Sequence, residues 1–538
     1  MLFRILMLAS LASAAQHTHT SESKGAGTGK ELPAIGEFSF RIHTSVPRAQ
    51  QFFNAGLAMI YGFNHEEAQR LFARAAELDP RSPMPHWGMA LSLGSHINNE
   101  PEATRERKAW EAIARAQALS AAAPAHEQRY ISALAARYSP DPQMDRKQLA
   151  RRYAAAMAEL HAAYPDDPDA ATLYAESLMN LNPWKYWGAD GTPAERTLEF
   201  VGVLEDVLRR WPHHPGANHY YIHAVEASPH PERALPSANR LGKLVPSAGH
   251  LVHMPSHIHA RLGDWAPAAK SNAEAVEVDR AYLKGKPAGG LYPLMYYPHN
   301  IHFLLYAQGA AGQCADAAAT GRQLVKQVSP GLEEMPMLQG FVAYVYQLSV
   351  WCPEQALPPP PAQKHALATV AYHFAHGTRA AWQRDSSRAR ADLAALGAAA
   401  ARVAPETIYE PAYTAAYLRV ATSSLLARIA DADGDLAAAA RHWRDAVAAQ
   451  DTLRYDEPPI WYYQTRQSLG AVLLRAGNPR EAEAVLRESL SKQPRDGRVL
   501  FLLWKTLAAQ NREREATLVE AQFRAAWKGA AVPRLEEL

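Results

Sequence analysis

One pattern recurs along the chain and limits what it can fold into. Alanine- and leucine-rich stretches, with apolar residues three and four apart, alternate with short turns built on Pro or Gly-Asp. That spacing is the period of an α-helix buried along one face. No stretch alternates apolar and polar residues as a half-buried strand does. A short amphipathic helix cannot bury its apolar face alone, so such helices must pair and each pair must stack on the next. The chain is therefore expected to be all-α.

The repeating unit is clearest in "FFNAGLAMIYGFNHEEAQRLFARAAELDP", Phe52 to Pro80. Aromatics stand at Phe52 and Phe72, small residues at Gly56 and Ala68, and a closing proline at Pro80. A second copy lies in "RQSLGAVLLRAGNPREAEAVLRESLSKQP", with Leu469, Gly470, Gly477, Ala482 and Pro494. A third runs through Gly434, Asp435, Ala439, Trp443 and Ala446. These segments resemble the tetratricopeptide repeat, a helix-turn-helix unit of about 34 residues. The resemblance implies an α-solenoid of such repeats and says little about function, because the repeat is a general scaffold. Residues 39–351 are expected to form an N-terminal array. The proline-rich stretch 352–364 reads as an extended connector, and 365–538 as a C-terminal array.

Charge and composition exclude several classes. The chain has 538 residues, 48% of them hydrophobic and 20% charged, enough for a large core. Its net charge of +2 comes without a long basic run, which argues against a nucleic-acid partner. Residues 1–15, with Arg4 ahead of an apolar run and Ala12-Ser13-Ala14 behind it, read as an export signal. Residues 16–38 read as a flexible leader. The apolar run is too short to span a bilayer, and no later segment is long enough either. A secreted or periplasmic location is expected. Cys314 and Cys352 are compatible with a disulfide or with two buried thiols.

The functional signal is histidine. Eleven of the 23 histidines lie between residues 213 and 302, which selects that segment for closer reading. Phased on the turn Gly263-Asp264-Trp265 and on Ala268, His250, His253 and His257 fall at the second, fifth and ninth positions of a repeat's first helix. In the tetratricopeptide family those positions line the concave groove, so the resemblance places these three there. One repeat earlier His219 and His223 take the fifth and ninth positions, with Glu226 at the twelfth. One repeat later His299, His302 and Tyr306 take the second, fifth and ninth. The expected columns are His219, His253 and His302 in one, and Glu176, His223, His257 and Tyr306 in the other. Residues four apart on a helix share a face, and HxxxH pairs on such faces can share an ion. His213, His214 and His230 sit in Pro-flanked turns and read as exposed. His259 reads as a core residue, and His65 as a helix cap. His86 and His96 face the groove only in a poor phase, and His365, His373 and His376 read as an ordinary helix face.

An imidazole-rich set with one or two carboxylates suits a transition metal ion (zinc, copper or iron) rather than calcium or magnesium. The ligand set expected is His219, His223, His250, His253, His257, His299 and His302, for one or two ions. If the site is catalytic, Glu176, Glu226 and Tyr306 are the candidate acid-base residues. Two other functions fit the same residues: a non-catalytic scaffold holding a protein, peptide or small organic ligand in the groove, and metal sequestration or delivery.

Overall fold

The computed structural model describes residues 32–538, apart from 100–101, 287–289 and 409. The export signal and residues 16–31 of the leader lie outside the described residues. Among the described residues the fold is all-α, with two isolated β-bridges and no strand. No helix among them is long and apolar enough to cross a membrane. The chain divides into two compact units. One holds the described part of Leu2–Met254 together with Glu277–Tyr292, and the other Pro255–Val276 with Pro293–Leu538.

In the first unit, Pro47–Tyr61 and His65–Leu78 form the antiparallel pair that the repeat resemblance implies. The small residues explain its closeness. A Cβ on Gly56 would stand 2.6 Å from the Phe72 ring, and one on Gly88, in the next helix, would stand 2.5 Å from it. Phe72 is thus a wedge between two glycine faces, and its full burial ties one pair to the next. The turn between the helices is closed by Phe63, whose φ of 55° is left-handed. Asn64, not His65, caps the second helix: its side chain accepts from the Glu67 amide at 3.2 Å. His65 had been expected in that role, but the shorter Asn side chain sits one residue earlier, where the free amides converge.

The second unit repeats the device. Pro411–Ala432 pairs with Leu436–Asp451 across Gly434, at φ 86°, and Asp435 caps the following helix through the Ala438 amide at 2.8 Å. Thr465–Arg475 pairs with Pro479–Lys492, with Gly470 against Leu486. Cys314 and Cys352 are joined by a disulfide, linking the start of helix Cys314–Val328 to the end of Gln339–Trp351. Residues 356–362 carry no regular secondary structure.

The segment carrying His250, His253 and His257 differs from its expectation. It forms two short helices, Gly249–His253 and Pro255–Arg261, rather than one. Pro255 has no N–H to continue the first helix. A single turn residue, Met254, separates the two helices, which fall in different units.

Candidate metal centre

The best-defined cluster lies within the first unit, where ligand nitrogens of His219, His223 and His250 all stand within 4.8 Å of one another. All three residues are at most 1% exposed. His219 and His223 are four apart on helix Pro215–Val225, with ring centres separated by 4.8 Å. That helix begins at Pro215 and is capped by His214, whose Nδ1 accepts from the Ala217 amide at 3.0 Å. A Cβ on Gly216 would meet the Tyr61 ring at 2.5 Å, so only glycine allows this approach to helix Pro47–Tyr61.

The approach has a chemical consequence one turn later. His219 Nδ1 lies 2.6 Å from the Tyr61 carbonyl oxygen. Tyr61 ends its helix, and a terminal carbonyl has no partner inside the helix. A carbonyl only accepts, so His219 Nδ1 carries the proton and Nε2 presents its lone pair. His223 is set in the same way. Its Nδ1 lies 2.7 Å from Glu226 Oε1, with side-chain exposures of 0% and 1%. The buried carboxylate accepts that proton and leaves His223 Nε2 as a donor atom for a ligand bond. Orientation of a histidine through its second nitrogen by a carbonyl or a carboxylate is the usual arrangement behind metal-bound imidazoles.

His250 completes the set from helix Gly249–His253. Gly249 is required because any Cβ there would collide with the Asp279 carboxylate. That carboxylate is held by the Tyr292 hydroxyl at 2.8 Å. His250 Nε2 comes within 3.1 Å of His219 Nε2. Two imidazole nitrogens bound at about 2.0–2.1 Å to one ion stand about 2.9 Å apart at a right angle and about 3.3 Å apart at the tetrahedral angle. The observed separation falls between these limits, so in place of the N–H···N hydrogen bond that His219 and His250 make without an ion, the two nitrogens can share one.

Aromatic rings enclose the cluster. The centre of Phe63 lies 4.5 Å from that of His219, 5.3 Å from His250 and 5.9 Å from His223. Trp184 meets His223 edge-on at 5.1 Å. Its indole N–H is turned to the Ile97 carbonyl at 2.9 Å. Beyond Phe63, His65 and His96 stack with ring centres 4.1 Å apart. Burial, reinforced by Arg105, pushes His65 down to about 3, and burial pushes His96 well below its ordinary value, so both rings stay neutral. Phe63 and the Tyr61 carbonyl were not legible as site groups. The left-handed turn that aims Phe63 has no residue signature, and a carbonyl has none at all.

The remaining expected residues are distributed as follows. His253 is buried in the first unit, its ring 5.6 Å from that of His250. In the second unit, His257 and His299 have ring centres 5.9 Å apart, and Phe303 packs against both. His302 stacks on Tyr344 at 3.9 Å, and Tyr344 on Tyr462 at 4.7 Å, in one aromatic column. Tyr306 packs edge-on against Trp265 and accepts from Gln493 Nε2 at 2.9 Å. Glu226 acts on His223. Glu176 is buried elsewhere in the first unit: Asn180 donates to its Oε1, burial pushes its carboxyl up, and the nearby Arg137 opposes that shift. Among the described residues Glu176 joins no group of three potential ligands.

Several other histidines depart from expectation. His214, expected exposed, is buried against Asp169 at 3.1 Å. The reason is a long-range partner that its Pro-flanked turn does not reveal. His213 and His230 are exposed as expected. His259 is half-buried rather than a core residue. His373 and His376 both turn Nδ1 to Asp392, at 2.8 and 2.6 Å.

No family model and no curated protein sequence matches the chain. Solved structures of helical-repeat proteins do align with it. Yeast Tom70 is 11% identical, covering 89% of this chain and 93% of that one, with a TM-score of 0.30. Human IFIT1, solved as a dimer with PPP-AAAA, is also 11% identical, covering 88% and 90%, with a TM-score of 0.34.

Proposed function

We propose that the first unit holds one transition metal ion through His219 Nε2, His223 Nε2 and His250. The observation that carries this reading is the commitment of both His219 Nδ1 and His223 Nδ1 to acceptors, which leaves their Nε2 lone pairs directed into one cluster. Three neutral imidazoles favour zinc, copper or iron over calcium or magnesium. Three protein ligands also leave a coordination position open, as in reactive rather than structural sites. An ion there would act as a Lewis acid toward whatever occupies that position. Glu226 orients His223 and raises the basicity of its Nε2, a positioning role rather than that of a general base. Near-complete burial favours a retained ion over the rapid exchange that delivery requires. Action outside the cytoplasm belongs to the same proposal, supported by the Cys314–Cys352 disulfide, a bond that persists in oxidising compartments.

The test is metal analysis of protein purified without a histidine tag and reconstituted with zinc or copper. About one ion per chain is expected, lost when His219 and His223 are both replaced by Ala. A folded protein that retains no ion after reconstitution overturns the reading.

A further inference from the structure

The second unit contains a cavity of about 590 Å³ that the histidine chemistry does not use. Its walls come from the start of helix Cys314–Val328, the end of Gln339–Trp351, helices Pro411–Ala432 and Thr465–Arg475, and residues 527–538. Three arginines line it: Arg534 is exposed and paired with Glu537, and the two buried ones differ in how fully they are satisfied. Arg498 is 2% exposed and donates from Nη1 to the Gly309 carbonyl and from Nη2 to the Trp351 carbonyl, both at 2.9 Å. Its donors serve two helix ends and so hold the fold together.

Arg428 is different. It is 3% exposed, and its guanidinium lies 5.0 Å from the Trp443 ring centre and 5.5 Å from that of Trp382. Nη2 makes two long contacts, to Ser468 Oγ at 3.2 Å and the Glu537 carbonyl at 3.4 Å. Nε and Nη1 lack a well-formed hydrogen bond among the described residues, and the Tyr463 hydroxyl beside the guanidinium is its one further side-chain hydrogen-bond partner. The nearest carboxylate on the same helix, Asp431, is taken by both terminal nitrogens of Arg475. Burial pushes Arg428 below its ordinary value, yet a guanidinium stays protonated in proteins. A buried charge with idle donors is costly unless acceptors are supplied. Gln467 Oε1, also at the cavity, lacks a partner among the described residues as well.

We infer that this cavity binds a small organic carboxylate, its acid group on Arg428 and its apolar body against Val350, Trp351 and Trp527. A planar guanidinium matches a carboxylate geometrically and by charge. The volume lies within the range of about 300–1,000 Å³ usual for small-molecule sites. Gln467 is placed to accept from a hydroxyl or amide on the same ligand. The inference is independent of the metal reading, since every residue it uses belongs to the second unit.

Isothermal calorimetry on the full chain, with 4-phenylbutyrate and its uncharged amide as probes, tests it. The acid is expected to bind one per chain and at least about tenfold more tightly than the amide. Arg428→Gln should abolish the preference. Because that variant risks misfolding, Val532→Trp serves beside it: Val532 lines the cavity, is 58% exposed and tolerates a larger side chain. Weakened acid binding in a Val532→Trp protein of unchanged circular dichroism supports the site. Equal binding of acid and amide, no binding below about 10 mM, or unchanged binding in Val532→Trp overturns it.

Discussion

Replacing Glu226 with Gln removes one buried charge while keeping the side chain's shape, and its two effects should have opposite signs. Glu226 and His223 are 2.7 Å apart with side-chain exposures of 1% and 0%, so solvent screens almost nothing between them. Glutamine retains a carbonyl oxygen, and His223 Nδ1 can still donate to it. What disappears is the negative charge that makes His223 Nε2 a stronger ligand. Outer partners of this kind carry about 10–100-fold in metal affinity, or about 1.4–2.7 kcal/mol, and full burial places Glu226 toward the upper end. In the metal-free protein the same change relieves a desolvated carboxylate, and replacing buried ionic groups by neutral ones of equal shape is often neutral or stabilising. The expected result is a metal-free melting temperature that is unchanged or slightly raised, together with zinc affinity lowered by one to two orders of magnitude. Competition against a chromophoric chelator at fixed pH measures the second quantity, and thermal circular dichroism the first. Undiminished zinc affinity in the folded variant would refute the role assigned to Glu226. So would a loss matched by an equal fall in metal-free stability, since that would mark Glu226 as a fold contact only.

Three other perturbations test separate parts of the account. Gly216→Ala drives a Cβ into the Tyr61 ring and should cost about 1–3 kcal/mol. It should also weaken metal binding by moving His219 from the Tyr61 carbonyl; a stability loss with unchanged affinity would show that His219 does not depend on that contact. Cys314→Ser with Cys352→Ser opens a loop of 38 residues and should lower stability by about 2–4 kcal/mol, read as the urea midpoint with and without reductant; indifference to both would count against the bond. His65 is held down to about 3 from an ordinary 6.5, so the unfolded chain takes up the proton first. Its contribution is fully present above pH 6.5, is lost as pH falls, and levels off near 3, with a slope of up to about 1.4 kcal/mol per pH unit for the one proton. His65→Leu should flatten the metal-free stability profile between pH 6.5 and 4 by that amount, and an unaltered acid slope would contradict the neutral, buried placement.

The repeat architecture was legible because it rests on side-chain size at fixed spacings. Gly56 and Gly470 mark where a large neighbour, Phe72 or Leu486, must enter, and periodicity reads such local packing directly. The candidate site was legible in its residues but not in its pairings. His219 was assigned to His253 and meets His250 instead, because counting in repeats assumes an unbroken helix and Pro255 breaks it. The proline stands in the sequence two residues after His253, so the signal was present and outweighed by the repeat phase. His214 and Asp169 are different: 45 residues separate them, and no local pattern joins such partners.

The glycines of the first unit connect the fold to the proposed chemistry. Gly56 and Gly88 only let helices pack. Gly216 and Gly249 do that and also bring a polar group into range, the Tyr61 carbonyl for His219 and the Asp279 carboxylate beside His250. A larger residue at either place would act by the same displacement on packing and on ligand orientation. Helix packing of this kind tolerates little adjustment, because interiors are close-packed and shift as units. Ligand geometry held by backbone contacts should therefore persist without the ion, and reconstitution should proceed without a large change in helix content. A gain of helix on adding metal would mean that the ion organises the cluster, in contradiction to the positions of Gly216 and Gly249.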